Sequence, residues 1–261
     1  MAHRDNWGWR ARIGMFIVGV ECVPEAEWWA MCPPGVSVHS ARVSAKTPWA
    51  TWINGSGEVQ LAEDLARGAK QFSGMRLSSI VVGHSSSSIA GGRGWDEATV
   101  QALQHVLPDD VAVTTNGLDC ASALRAMNVR RPYLVFPPWF SEDTAAAGAQ
   151  YVGDLGFEPA GYLRHDPGPK WRDLAPNELY AHGLGFEQDV ERLYTEVRQS
   201  CPPNADGVLI AGTGFRCVGI IDALEADLGR PVVTANQASL WHALKLSSVR
   251  VPICGYGCLL Q

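Results

Sequence analysis

Short runs of apolar, often β-branched residues alternate with stretches of helical spacing along nearly the whole chain, and this alternation constrains the fold most. The runs predicted to be strands are 12–18, 36–43, 79–83, 111–114, 133–136, 157–163, 207–211 and 231–234. Helical spacing is found at 61–72, 95–106, 121–127, 141–155, 176–199 (broken near Gly183 and Gly185), 216–228 and 238–246. Strands separated by helices predict parallel sheets covered by helices. The rhythm occurs twice, which predicts two similar α/β halves.

Composition and charge narrow the class of protein. The 261 residues are 46% hydrophobic and 18% charged, a balance typical of a globular chain rather than a disordered one. The net charge of -6, with no run of like charge, argues against nucleic acid or an anionic membrane as a partner. No apolar stretch approaches the roughly 20 residues of a membrane helix, and the N-terminus does not resemble a signal peptide. We therefore expect a cytoplasmic enzyme.

The seven cysteines form no CxxC pair. A zinc site is therefore disfavoured, and most of these thiols are expected to be buried in a reducing compartment. We predict neither a metal nor a cofactor.

Four predicted strands end in unusual loops, and ligands of open parallel sheets bind beyond such carboxyl ends. Glu21 follows the first strand, and His84 begins a run of four serines, 85–88, after another. The serine hydroxyls predict a cradle for a carboxylate or phosphate, with a solvated loop as the alternative. Trp139 follows a strand of the second half. The 212–217 loop carries two glycines that permit close backbone approach, although such turns are common.

Three longer stretches resemble the maleate cis-trans isomerases and arylmalonate decarboxylases of the aspartate/glutamate racemase superfamily. They are GVSVHSARV (35–43), ASALRAMNVRRPYLVFPPW (121–139) and ADGVLIAGTGFRCVGIIDALEADLGRPVVTANQASLWHALK (205–245). The resemblance implies two pseudo-symmetric Rossmann-like domains with parallel sheets and an active site at their interface. It assigns 1–119 plus 239–261 to the first domain and 120–238 to the second, and it implies a homodimer or homotetramer.

The resemblance also shows where this chain departs from its relatives. Racemases and maleate isomerases use two cysteines facing each other across the substrate, and arylmalonate decarboxylases keep one as a proton donor. Here His84, or Ser85 after a one-residue slip, stands at the first cysteine position, and Gly212 stands at the second. Ser86, with Ser85, matches the hydroxyl pocket that holds negative charge. Thr213, Gly214 and Arg216 match the family pattern after Gly212, and Cys217 lies five residues beyond it.

Three further departures concern the substrate. Glu21 stands where maleate isomerases carry an asparagine that binds a substrate carboxylate, and a second such asparagine would fall near Gly168. A carboxylate at Glu21 would repel a dicarboxylate, so maleate is not expected as substrate. Trp139 replaces a tyrosine and can still donate an N–H.

The leading hypothesis is a cofactor-independent lyase or isomerase acting on a small organic acid or carbonyl compound through an enolate-like or carbanion-like intermediate. His84 and Glu21 would move protons. Ser85, Ser86 and the 212–214 loop would hold negative charge, with Trp139 and Cys217 near the substrate. The alternatives are a hydrolase or hydratase in which His84 activates water or a serine, and a non-catalytic binding protein. Structural roles for His84 and Glu21 also stay open.

The other histidines and the tryptophans say less about the position of the active site. His39 and His242 are expected to be structural, whereas His165 and His182 lie on loops that could reach the site. Four early tryptophans predict either an apolar substrate pocket or core packing; they are Trp28, Trp29, Trp49 and Trp52.

Overall fold

Two four-stranded parallel sheets form the framework of the protein. The structure is a computed structural model and describes residues 5–261. The strands are β1 (Ala11–Val18), β2 (Val36–Val43), β3 (Ala50–Trp52), β4 (Val59–Leu61), β5 (Ser79–Val82), β6 (Ala112–Thr115), β7 (Pro132–Phe136), β8 (Gly161–Arg164), β9 (Gly207–Ile210) and β10 (Val232–Thr234). One sheet has the order β2-β1-β5-β6 and the other β10-β9-β7-β8, while β3 and β4 pair as an antiparallel hairpin. Apart from that hairpin, each half orders its strands 2-1-3-4, so the two halves share one topology.

Eleven α-helices of the described chain surround these sheets. They are α1 (Val23–Met31), α2 (Glu63–Phe72), α3 (Ser85–Gly91), α4 (Trp95–Gln104), α5 (Asn116–Ala126), α6 (Glu142–Asp154), α7 (Pro176–Leu179), α8 (Leu184–Glu187), α9 (Val190–Ser200), α10 (Ile221–Leu228) and α11 (Ala235–Leu246). Short 3-10 turns lie at Pro169–Trp171, Val218–Ile220 and Cys258–Leu260. The predicted α/β fold with parallel sheets is confirmed.

The central strands are covered on both faces. Every residue of β5, β7 and β9 is buried, as expected for a parallel strand between two helix layers. The helices instead bury one stripe, which in α2 comprises Leu65, Gly68, Ala69 and Phe72 at helical spacing. The apolar pattern of the sequence therefore specifies both kinds of element.

Hydrogen bonds tie the two halves together at the carboxyl ends of their strands. Asn116 Nδ2 donates to the Ala235 carbonyl (3.0 Å), and Thr213 Oγ1 donates to the Gly83 carbonyl (3.1 Å). Helix α11 also packs on α5 and on β5, where Ser79 Oγ donates to the Ala243 carbonyl (3.2 Å). The division at residues 119–120 and 238–239 stays a prediction.

The differences from the sequence-based elements have local causes. The sequence pattern does not indicate helix α1, because Pro24 and two adjacent tryptophans obscure its periodicity. It does not indicate the β3–β4 hairpin either, because each of its strands has three residues. The 176–199 region divides into α7, α8 and α9, and Gly183, at φ +96°, separates the first two.

The early tryptophans also divide into two groups. Trp28 and Trp49 are fully buried in the core, whereas Trp29 and Trp52 are partly exposed. None of the four is among the residues that line the cleft described below, so packing describes them better than a substrate pocket.

Candidate active site

A cleft of about 700 Å³ opens where the carboxyl ends of β1, β5 and β7 face the α7 segment. Glu21, His84, Ser86, Trp139 and Tyr180 line it. The loops after parallel strands meet at one edge of their sheets, which is why residues far apart in sequence converge here. The structure thus brings together four of the side chains singled out from the sequence and adds Tyr180.

Glu21 is a buried acid whose carboxyl is only partly satisfied. The residue is 8% exposed, and Oε2 has no hydrogen-bond partner among the described residues. Burial raises the pKa of Glu21 to about 8, because the low-dielectric surroundings penalise the charged form. The carboxyl is therefore largely protonated at neutral pH and can donate a proton or a hydrogen bond. The repulsion of a dicarboxylate expected from the sequence does not apply to this neutral form.

Gly214 makes room for the Glu21 carboxyl. A Cβ at Gly214 would lie 2.6 Å from Glu21 Oε1, 2.8 Å from Glu21 Cδ and 3.0 Å from Tyr180 Cε2. Gly214 therefore acts through close packing against the acid.

Gly214→Ala is expected to displace the Glu21 carboxyl and to lower the free energy of unfolding by about 1–3 kcal/mol, since the added methyl overpacks the site. Gly219→Ala is the matched control, because a Cβ there meets nothing within 4 Å. Urea denaturation of the two variants measures the difference. Equal stabilities would show that the Glu21 side chain moves aside freely.

Tyr180 and Trp139 form an aromatic wall of the cleft. Their rings meet edge to face with centroids 5.2 Å apart, and the buried Tyr180 hydroxyl has no partner among the described residues. Burial and the neighbouring Glu21 carboxyl raise the pKa of Tyr180, so its hydroxyl keeps its proton. Tyr180 was not predicted as a site residue. The one indication in the sequence is its place in a helical segment that glycines interrupt.

His84 ends the loop after β5 and immediately precedes α3. It is buried, its ring stacks on Trp49 with centroids 4.2 Å apart, and Nδ1 lies 2.7 Å from Ser87 Oγ. Burial lowers the pKa of His84 to about 3. The imidazole is therefore neutral at physiological pH and a weak base, which favours a hydrogen-bonding role over proton abstraction.

Two of the predicted serines have different surroundings. Ser86 is half-buried and lines the cleft. Ser85 is buried, donates from Oγ to Asn116 Oδ1 (2.5 Å) and accepts from the Gly212 N–H (3.2 Å). The loop that begins at His84 and the 212–214 loop are thus hydrogen-bonded to each other through Ser85.

The 212–214 loop lies against the loop that begins at His84. Gly212 has a φ of +100°, a conformation that favours glycine. Thr213 is buried and donates from Oγ1 to the Gly83 carbonyl (3.1 Å). Neither residue is among those that line the cleft, so the structure gives both a structural role beside it.

Cys217 lies in the hydrophobic core rather than beside the cleft. It is 1% exposed, and burial raises the pKa of its thiol well above the usual value. Its backbone N–H donates to Glu27 Oε1 (2.6 Å), and Glu27 also accepts from the Val218 N–H (3.0 Å) and Asn236 Nδ2 (2.7 Å). The place beside the substrate that the sequence suggested for Cys217 is therefore not observed, because its side chain packs in the core cluster that also contains Phe215 and Ile221.

The other four histidines discussed from the sequence lie outside the cleft lining. His165 is buried and pairs through Nδ1 with Glu196 (2.5 Å), and His182 is exposed. His242 pairs with the buried Asp119 (2.7 Å) and joins α11 to α5, while His39 bonds to Ser37 (2.9 Å). Gly168 likewise lies outside the lining.

Two findings concern metals and membranes. No group of three or more His, Cys, Asp or Glu side chains in residues 5–261 is arranged to hold a metal ion. Within the same residues, no helix has both the length and the apolar character that crossing a bilayer requires.

Comparison with known proteins places this geometry in context. No protein-family model matches the chain. An arylmalonate decarboxylase of Bordetella bronchiseptica is 26% identical over 141 residues, a match that spans 51% of this chain and 51% of the decarboxylase. The sequence match therefore covers about half the length of that relative.

Solved structures extend the likeness to the whole fold. Unliganded arylmalonate decarboxylase superposes with a TM-score of 0.75 and 20% identity, covering 96% of this chain and 98% of that one. A Nocardia farcinica maleate cis-trans isomerase variant with a covalently bound succinylcysteine intermediate gives a TM-score of 0.77 and 18% identity, with 96% and 98% covered. The chain is therefore similar in sequence to an arylmalonate decarboxylase over about half of its length, and its α/β fold is similar to those of arylmalonate decarboxylase and maleate isomerase.

Proposed function

We propose that the chain is a cofactor-independent lyase or isomerase that acts on a small organic acid or carbonyl compound through an enolate-like intermediate. One observation carries the proposal: Glu21, a buried acid whose Oε2 has no partner among the described residues and whose pKa is raised by burial, lines the same cleft as His84. The relatedness to a decarboxylase supports this reaction class. The chemistry would then proceed without the cysteine pair, since no cysteine lines the cleft.

Glu21 supplies the proton in this mechanism. Loss of carbon dioxide from a substrate carboxylate leaves the electron pair of the broken C–C bond on the α-carbon, delocalised as an enolate. The Glu21 carboxyl transfers its proton to that carbon and becomes a carboxylate, which regains a proton from solvent. An acid with a pKa near 8 suits this role, because it is protonated at neutral pH yet strong enough to react.

His84 and Ser86 stabilise the developing negative charge. A neutral imidazole and a hydroxyl that line one cleft can both donate hydrogen bonds to an enolate oxygen. The arrangement parallels a hydroxyl pocket, with an imidazole in place of a thiol. The cleft volume of about 700 Å³ and the apolar Trp139 and Phe140 favour an acid with a bulky apolar substituent.

The experiment that tests the proposal follows solvent deuterium by NMR. The protein is incubated in D2O with aryl- and alkyl-substituted malonates, the corresponding monocarboxylic acids and maleate, and carbon dioxide release is recorded in parallel. We expect deuterium at the α-carbon of at least one acid. If neither label nor carbon dioxide appears while an acid binds tightly, the chain is a binding protein.

The hydrolase alternative has one structural obstacle. Ser87, the serine that contacts His84, is 0% exposed and cannot reach a substrate. A hydrolase or hydratase would therefore have to activate water. Oxygen from labelled water appearing in the product would favour that reading over the enolate mechanism.

Cys217→Ala provides a direct test of cysteine independence. We expect turnover within about twofold of the unmodified protein and a free energy of unfolding lower by about 1–2 kcal/mol, because a buried thiol is replaced by a smaller group. Steady-state kinetics and chemical denaturation measure the two effects. Loss of turnover in a variant that still folds would return Cys217 to the site.

A further inference from the structure

The hydrogen bonds around His84 specify which of its ring nitrogens carries the proton. Nδ1 lies 2.7 Å from Ser87 Oγ. Ser87 is completely buried, so no solvent reaches its hydroxyl. The stacked Trp49 ring fixes the plane of the imidazole, and the ring therefore has little freedom to exchange its partner.

Ser87 Oγ has two contacts, and they leave one role for its proton. The oxygen accepts the backbone N–H of Trp49 (2.9 Å). Among the described residues, the one acceptor in hydrogen-bond contact with this hydroxyl is His84 Nδ1. A buried hydroxyl proton without an acceptor costs about 1–3 kcal/mol. The proton of Ser87 therefore points at Nδ1, which must be unprotonated to accept it.

We propose that Ser87 is a positioning residue that holds His84 as its Nε2–H tautomer, so that His84 presents a neutral N–H donor to an anionic oxygen of the substrate. The ligand class, a carboxylate or enolate oxygen, rests on the proposed function. The tautomer itself rests on the Trp49–Ser87–His84 contacts alone.

The rest of the cleft agrees with this assignment. Nε2 has no protein partner among the described residues, and His84 lines the cleft. Glu21, on the same cleft, is itself a donor in its protonated form. These donors without protein acceptors belong to residues that line one cleft, and an anionic oxygen bound there is the group that satisfies them.

Nitrogen-15 NMR of the histidine-labelled protein at pH 7 tests the tautomer without any substrate. We expect a non-protonated Nδ1 signal and a protonated Nε2 signal for His84. In Ser87→Ala the preference should be lost, with the two signals moving toward each other. Observation of a protonated Nδ1 in the unmodified protein would overturn the inference, whatever the activity proves to be.

Binding of phenylacetate, used as a carboxylate probe, tests the donor role. The Gln amide reaches the position of Nε2, whereas the shorter Asn amide reaches that of Nδ1. We expect His84→Gln to bind phenylacetate within a few-fold of the unmodified protein and His84→Asn to bind about tenfold more weakly, the worth of one hydrogen bond. Equal losses in both variants would contradict the Nε2 assignment. If the tautomer and the binding of phenylacetate are as expected but no acid is turned over, the proposed function is wrong while the tautomer assignment stands.

Discussion

Glu21→Gln is expected to reduce turnover by about 10²–10⁴-fold, the range lost when a general acid is removed. The amide keeps the shape of the side chain but cannot transfer a proton. Substrate affinity should change little, because an amide N–H still donates where the protonated carboxyl did. The loss should therefore fall on kcat rather than on KM, and steady-state kinetics will separate the two.

The pH profile gives this prediction a second readout. Burial raises the pKa of Glu21 to about 8, so turnover should decline above that pH as the acid loses its proton. Glu25→Gln is the matched control, since Glu25 lies in the same segment but pairs with Arg42 away from the cleft lining. Full turnover in Glu21→Gln, or an unchanged alkaline limb in its residual activity, would remove Glu21 from the mechanism.

The free energy of unfolding should depend on pH through Glu21 and His84, in opposite directions. The pKa of Glu21 rises from 4.5 to about 8 on folding, so the folded state binds its proton more tightly. Stability from Glu21 is present below pH 4.5 and is lost as the pH rises to about 8. A shift of this size corresponds to at most about 5 kcal/mol.

His84 has the opposite dependence. Its pKa falls from 6.5 to about 3 on folding, so the unfolded state binds the imidazole proton more tightly than the folded state does. Its contribution is present above pH 6.5 and is lost as the pH falls toward 3. The two slopes oppose each other between pH 4.5 and 6.5, where these groups together should leave stability nearly flat.

Urea denaturation between pH 4 and pH 9 checks both slopes. Glu21→Gln should lose the decline toward pH 8 and become more stable than the unmodified protein there. His84→Gln should instead lose the decline toward acid. Parallel curves for all three proteins would mean that neither group is desolvated to the extent that its burial indicates.

These predictions depend on a site that the sequence revealed only in part. Glu21, His84, Ser86 and Trp139 could be found because each follows a predicted strand, and strand ends in a parallel sheet converge. Tyr180 could not, because α7 reaches the cleft through a chain path that no local pattern encodes. The position expected for Cys217 was wrong for a similar reason: it lies five residues beyond Gly212 in sequence, but its side chain packs in the core with Phe215.

The chemistry of the individual groups was less predictable than their positions. A histidine and a glutamate at strand ends suggest an acid and a base, but the sequence does not indicate the pKa of either group. Only burial shows that His84 is neutral and weakly basic while Glu21 keeps its proton. The proposed roles thus change from two proton carriers to one acid, Glu21, and one hydrogen-bond donor, His84.

The sequence alone determined that the chain forms two parallel α/β halves with polar residues after several strands, because hydrophobic periodicity and residue identity are local properties. The tertiary structure decided which strand-end residues share a cleft, which serine fixes His84, and how far Glu21 is removed from water. Those properties arise from desolvation and from hydrogen bonds between segments distant in sequence, such as the Gly212 N–H to Ser85 Oγ contact. They exist only once the two halves pack against each other.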